Sequence, residues 1–390
     1  MNYVLYDGTV RENFFPFTFT RPVADMRMGI LTIREKWEKY LKTITSTKTE
    51  AYLSEKFPLV ENDVNIYINA SFFPNDLLVN RVKALTENTA LVKEGEVIAY
   101  FKKRDQDTDI NALKRIEFVD PVLRIEHTWE IFSRNGEALQ ADFDLLTKNR
   151  KSAPIPDTNT LIHPERIFAE EGAKVEHSIL NATEGPIYLG KDSEVWEGNL
   201  IRGAFALCNN AVVKMGAKIY GPTTIGPFGK VCGEISNAVI FGYSSKGHEG
   251  YLGNAVLGEW CNIGADSNNS NLKNNYAKVR LWNYGTESFE QTGLQFCGLM
   301  MGDHSKSAIN TMFNTGTVIG VNCNIYVPGF PRNFVPSFSW GGASGFTTYS
   351  TKKAFEAAKV MMARRNVVFD EKDARILEHV FELTKRWRNY

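Results

Sequence analysis

The chain has 390 residues, too many for one ordinary core, so its length predicts two domains. Its 45 Lys and Arg balance 45 Asp and Glu, which excludes bulk electrostatic attraction to nucleic acid or to a membrane surface. No apolar run reaches transmembrane length. The amino-terminal residues also lack the basic, apolar and small-residue succession of a secretory signal, so a soluble cytoplasmic protein is expected.

Strand-like and helix-like segments alternate over residues 1–150. Tyr3-Val4-Leu5-Tyr6 reads as a strand ending in the turn pair Asp7-Gly8. Ile30, Ile33, Trp37 and Tyr40 share a helical face, with Arg34/Glu38 and Glu35/Lys39 as opposite-charge pairs on the other. Val64 to Ile68 is a second strand, and Asn75 caps a helix carrying Leu77, Leu78, Val82 and Leu85. Ala90-Leu91-Val92 and Val97 to Tyr100 flank Glu94-Gly95 as a hairpin. Together these predict an α/β domain with a mostly parallel sheet, followed by a linker rich in proline from Lys151 to Asp157.

Beyond the linker one apolar residue recurs at every sixth position: Leu189, Val195, Ile201, Leu207, Val213, Ile219, Ile225 and Val231. A helix would need spacings of three and four, and an ordinary strand would need alternation. A period of six predicts a left-handed parallel β-helix of hexapeptide repeats over 151–345, each unit forming one flat side and pointing one aliphatic chain inward. The pattern begins loosely at Leu161, Ile167, Ala173 and Ile179. It slips to Val239 and resumes at Tyr251, Leu257 and Ile263. A loop excursion is expected between Asn268 and Leu294, and a last coil at Phe313, Ile319 and Ile325 before Pro328, Pro331 and Pro336 stop it. Residues 346–390 read as a helical cap, with Asp370 starting the helix that carries Ile376, Val380, Leu383 and Trp387. Its Met and Trp residues are expected to pack rather than bind a cofactor.

Five cysteines (Cys208, Cys232, Cys261, Cys297, Cys323) lie in the repeat region without a Cys-x-x-Cys pair, so a disulfide framework or zinc site is not expected. No His-x-x-x-His metal spacing occurs, and no metal ligands are assigned. Polar chemistry concentrates where the period breaks. Lys246, His248, Glu249 and Tyr251 stand among glycines, where backbone can approach a ligand and a histidine can take a proton. Asp303 and His304 form a second cluster that either orients a substrate or turns the chain. The asparagine-rich run with Lys273 either grips a phosphate or is turn material.

The segment Lys246-Gly-His248-Glu-Gly-Tyr251-Leu-Gly-Asn-Ala, followed by Asn262-Ile-Gly-Ala, resembles the acetyltransferase segment of GlmU-type enzymes. The likeness extends from Ile225-Gly-Pro-Phe to Lys278, and the whole chain is similar to a divergent GlmU-like sugar nucleotidyltransferase family. The resemblance implies acetyl-coenzyme A as donor and His248 as general base on a sugar amine. It also implies Tyr251 as a substrate contact, Asn262, Asn271 and Lys278 as residues that hold the sugar phosphate, Glu234 beside them with Lys246 as substitute for a missing lysine, and Asp303 near the acyl donor; His304, next to it, is a substrate-binding candidate from its cluster. Ser236 and Asn237 stand where such enzymes carry lysines.

The amino domain resembles sugar nucleotidyltransferases through Phe15-Pro-Phe-Thr18-Phe-Thr-Arg21-Pro. That likeness implies Asp7, Thr18, Arg21 and Asn69 at a nucleoside triphosphate, with Mg2+ if the domain is active. Asn69 takes an aspartate position, and only Asp7-Gly8-Thr9 lies near the place of the glycine-rich loop. A homotrimer with no nucleic-acid or membrane partner is implied. Two function classes follow: a bifunctional enzyme of sugar-nucleotide biosynthesis, or a trimeric scaffold or ligand-sensing protein with a degenerate nucleotidyltransferase domain.

Overall fold

The apolar run at the amino terminus forms β1 (Asn2–Tyr6), with Val4 and Leu5 fully buried, in a computed structural model that describes residues 1–104, 108–326 and 328–390. Around it stand β2 (Ser46–Lys48), β3 (Val64–Asn69), β4 (Thr89–Lys93), β5 (Glu96–Lys103) and β6 (Lys114–Glu117), in the order β2-β1-β3-β5-β4-β6. Three neighbouring pairs are parallel; β5 runs antiparallel to both of its neighbours, so the sheet is mixed. The β4–β5 hairpin turns through Glu94 and Gly95, both with positive φ, as a two-residue loop requires.

Helix α1 (Ile33–Leu41) starts at a capping box, in which Thr32 and Glu35 satisfy each other's backbone N–H. Its Arg34 pairs at 2.7 Å with Asp25 rather than with Glu38, whose carboxylate instead accepts from Thr45 N–H. Sequence spacing offers the i,i+4 partner, but the fold brings up a nearly buried bidentate one. Asn75 caps α2 (Asp76–Lys83) by accepting from Leu78 N–H at 2.8 Å.

By internal contacts this first unit comprises Met1–Phe14, Thr20–Met26 and Leu31–His127; the second comprises Phe15–Phe19, Arg27–Ile30 and Thr128–Tyr390. Within the second unit, α3 (Thr128–Ser133) and α4 (Asn135–Thr147) precede the coils. Gly29 N–H donates to Asn135 Oδ1, Ile30 N–H donates to Asp142 Oδ2, and Thr224 hydroxyl donates to Gly29 carbonyl.

The coils form a parallel β-helix whose core is three stacked columns of inward residues. One side stacks Leu161, Leu180, Ile201, Ile219, Ile235 and Leu252 in register. The second stacks Leu189, Leu207, Ile225, Ile240, Leu257, Met301, Ile319 and Val335. The third stacks Val175, Val195, Val213, Val231 and then Lys246.

The unbroken hexapeptide series is this core, but three expectations at its margins are corrected. Early in the helix Leu180 is inward and Ile179 is 41% exposed, because the loose start carries an extra residue. After Val231 the inward residues are Ile235, Ile240 and Leu252 rather than Val239 and Tyr251. There the coil shortens, and one long strand, Glu234–Gly242, covers two sides with a left-handed corner at Asn237. The prolines also do not stop the coil: Phe334–Val335 and Ser339–Gly342 add a further turn, since Pro336 sits at a corner outside the ladder. The excursion departs after Asn268–Asn269, forms an antiparallel hairpin of Arg280–Asn283 with Ser288–Gln291, and returns at Leu299–Met301.

At one corner Phe228, Tyr243, Trp260 and His304 succeed each other with φ between 54° and 61°. Their rings stack at 5.0, 4.2 and 6.3 Å. A left-handed non-glycine residue costs about 1–2 kcal/mol, and ring pairing of about 0.5–1.5 kcal/mol per contact offsets most of it. The last turn is followed by α5 (Thr351–Ala363) and α6 (Glu371–Leu383), and Asp370 caps α6 by accepting from Lys372 and Asp373 N–H. Among the described residues no helix is long and apolar enough to cross a membrane.

Candidate functional site

Two polar constellations stand on the β-helix. The first is the glycine-flanked loop at 247–250, which carries exposed His248. Lys246 does not reach outward for a phosphate. Its position is in register with Val231, an inward column, and the residue is 1% exposed. Its ammonium curls to the corner, donating to His248 carbonyl at 2.6 Å and Glu249 carbonyl at 3.1 Å. Burial pushes its pKa down to about 8, with Cys232, Glu249 and Asp266 opposing that shift. Lys214 braces the same loop from two coils earlier, donating to Gly247 carbonyl at 3.0 Å. The loop bearing His248 is therefore tied at three carbonyls by two lysines.

The second constellation lies on the flat side that the loop leads into. Glu234 and Tyr251 are neighbours across the ladder. Asn271 Nδ2 donates to Tyr251 Oη at 2.9 Å and to Asn254 Oδ1 at 2.7 Å. Burial raises the Tyr251 phenol, and Glu234 adds to that. Tyr220, not singled out in the sequence, donates its hydroxyl to Glu234 at 2.6 Å. That bond, with burial, pushes the Tyr220 phenol up to about 12. The signal was available: Lys218 and Tyr220 flank inward Ile219, so the six-residue frame already places both on the outer face. The result is a phenol–carboxylate–phenol–amide group able to donate and accept hydrogen bonds toward a sugar.

The other predicted residues are distributed differently. Asn262 is half-buried in the ladder between Ser245 and Lys306. Lys278 is exposed on the excursion, where Lys273 donates to its carbonyl. Asn268 and Asn269 fasten the excursion to the coil by accepting from Tyr251 and Gly253 N–H. Asp303 and His304 are 3% and 8% exposed and form a corner: Asp303 Oδ1 accepts from Glu259 N–H, and His304 N–H donates to Glu259 carbonyl. All five thiols are buried, and burial pushes Cys261 up to about 12 and Cys323 to about 11, out of thiolate range.

In the amino unit a cavity of about 360 Å³ opens at the end of β1, lined by Asp7, Gly8, Arg11, Lys48, Thr49 and Glu50 among others. Asp7 is 7% exposed; its carboxylate accepts from Val23 N–H at 2.7 Å and from Thr49 hydroxyl, with Arg11 Nε at 3.4 Å. Burial nevertheless leaves its pKa raised. Asn69 lies against Gly8, where an added Cβ would meet its Oδ1 at 2.7 Å, and it accepts from the N–H and hydroxyl of Ser71. Thr18 and Arg21 are buried, and neither is among the residues lining it. Arg11 and Lys48, which sequence reading missed, supply its cations. A magnesium ion does not fit these residues. Asp7 is committed to the fold, Asn69 brings no charge, and among the described residues no group of three His, Cys, Asp or Glu is positioned to hold a metal.

With the geometry in view, a family model described as sugar nucleotidyl transferase matches residues 3–151. The chain joins this matched domain to a parallel β-helix of hexapeptide repeats. It is similar to a bifunctional GlmU protein of Methanocaldococcus jannaschii, 28% identical over 90 residues. That match covers 23% of this chain and about a fifth (21%) of the relative's length. A solved structure of LpxA, a UDP-N-acetylglucosamine acyltransferase from Bacteroides fragilis, matches at 14% identity and a TM-score of 0.21, over 60% of this chain and 84% of that one.

Proposed function

We propose that this GlmU-like chain is a sugar-nucleotide enzyme whose β-helix transfers an acyl group from acetyl-coenzyme A to the amine of a sugar phosphate. The observation that carries the reading is the braced loop. His248 is exposed on backbone held by Lys214 and Lys246, directly before the Tyr220–Glu234–Tyr251–Asn271 group. In that reading the sugar amine attacks the thioester carbonyl while His248 takes its proton. The tetrahedral adduct collapses, the C–S bond breaks, and the imidazolium returns the proton to the departing thiolate. Exposed Ile162, Ile179 and Leu200 on one flat face support pairing of three copies, with light scattering as the check. For activity, acetyl-coenzyme A is offered with glucosamine 1-phosphate and other amino-sugar phosphates, and thiol release is followed. His248→Ala is expected to lower turnover at least ~100-fold. Unchanged turnover in that variant removes His248 as the base.

A second reading applies to the amino domain, because Asp7 and Asn69 are committed to structural bonds. We propose that its cavity binds a nucleotide or sugar phosphate through Arg11 and Lys48 without metal-assisted transfer. Incubation with UTP, magnesium and N-acetylglucosamine 1-phosphate is then expected to release no pyrophosphate while the ligands still raise thermal stability. Pyrophosphate release lost in Asp7→Asn would restore the bifunctional reading.

A further inference from the structure

We propose a second small-molecule site at the closing end of the β-helix, one that takes the planar base of a nucleotide. It goes beyond the acyl-transfer reading and does not depend on it. The excursion hairpin, the last coil and the carboxyl-terminal tail converge there on a cavity of about 200 Å³, walled by Trp282, Phe334, Phe346 and Trp387. This is smaller than the pockets that hold drug-sized ligands and suits a single planar ring system. The walls are set by ring packing. Trp282 stacks on Phe334 at 4.3 Å and 12°, while buried Tyr284 meets Phe334 and Trp387 edge-on at 5.4 and 4.9 Å.

Two features make these walls more than packing. The indole Nε1 atoms of Trp282 and Trp387 and the Tyr284 hydroxyl are buried with no hydrogen-bond partner among the described residues. Buried donors are ordinarily paired, and two unpaired indoles on residues lining one cavity, with an unpaired phenol packed against its walls, favour an acceptor from outside the chain. A nucleobase carries ring-nitrogen and carbonyl acceptors on a flat ring that stacks on aromatic walls. The second feature is charge. Arg332 and Asn389, both exposed, line it beside Pro336 and Tyr390, and no Asp or Glu side chain contributes. Arg332 has no ion-pair partner among the described residues, so its guanidinium is available to a phosphate. Flat donor-bearing walls with one free guanidinium fit a base carrying a phosphate.

The test uses the full chain. Tryptophan fluorescence is titrated with UDP, ADP and ribose 5-phosphate, and each affinity is repeated in three variants. A nucleotide is expected to quench saturably, and ribose 5-phosphate, which lacks a base, is not. Preference for UDP assigns the pocket to a sugar nucleotide, and preference for ADP assigns it to the adenosine end of an acyl donor; either supports the site. Trp387→Ala is expected to weaken binding at least ~10-fold. Arg332→Ala, which changes an exposed side chain and leaves the core intact, is expected to weaken nucleotide at least ~5-fold while leaving the matching nucleoside unchanged. His248→Ala is expected to keep the affinity, which separates this site from the acyl-transfer reading. Absence of saturable quenching by both nucleotides, or affinity unchanged in both Trp387→Ala and Arg332→Ala, overturns the proposal.

Discussion

Replacing Lys246 by methionine isolates the energetics of the loop that carries His248. The lysine stands at an inward column position, and burial holds its pKa at about 8 against an ordinary 10.5. Below about pH 8 the ammonium is charged in folded and unfolded chains alike, and the folded state bears the whole desolvation cost. Between about 8 and 10.5 the unfolded chain binds a proton that the folded chain has released, so stability rises with pH. That gap, at ~1.4 kcal/mol per pH unit, amounts to about 3 kcal/mol. Lys246→Met removes the titration and leaves the other groups in place, so their contributions cancel in the difference. Urea unfolding of both proteins at pH 7, 8, 9 and 10 is the assay. Wild-type stability minus Lys246→Met stability is expected to be nearly flat up to about pH 7.5 and to climb ~1.4 kcal/mol per pH unit from 8 to 10. A difference that stays constant, or falls with pH, would refute the buried placement of this amine. Met cannot tie the carbonyls of His248 and Glu249, so hydrogen exchange of the 247–250 amides is expected to quicken in the same variant.

Three further outcomes follow from particular contacts. Gly226→Ala would set a methyl 1.6 Å from Phe241 carbonyl oxygen, forcing adjacent coils apart. The expected loss is at least ~3 kcal/mol by urea unfolding, and a change below ~1 kcal/mol would contradict the coil spacing. Asp370→Ala removes the capping box of α6 and is expected to cost ~1 kcal/mol, seen as a melting temperature lower by roughly 1–2 °C for a chain of this size. Tyr251→Phe deletes the acceptor of the Asn271 amide bond. If this group holds the sugar, the acceptor KM is expected to rise ~10-fold with kcat within about twofold, whereas an equal fall in kcat and kcat/KM would indicate a role in the transition state.

By itself the amino-acid sequence determined the architecture wherever one periodicity ran without interruption. The hexapeptide series from Leu189 to Val231 is legible because only a coil with three flat sides buries one side chain in six, and each member of the series is buried. Caps at Asn75 and Asp370 and the Glu94-Gly95 turn were legible because one side chain or one φ decides them. Tertiary structure alone decided the phase after Val231. There the coil shortens and carries Lys246 inward, a placement that linear spacing cannot register. It also decided that Asp303 and His304 build a corner and that Tyr220 meets Glu234. It brought Trp282 and Trp387, more than a hundred residues apart, to one cavity. The physical reason is common to all four: local sequence sets which backbone angles and faces a segment prefers, whereas a site's chemistry depends on which neighbouring coil stacks beside it. Stacking register is set by the length of every intervening turn, and only the assembled coil reveals it.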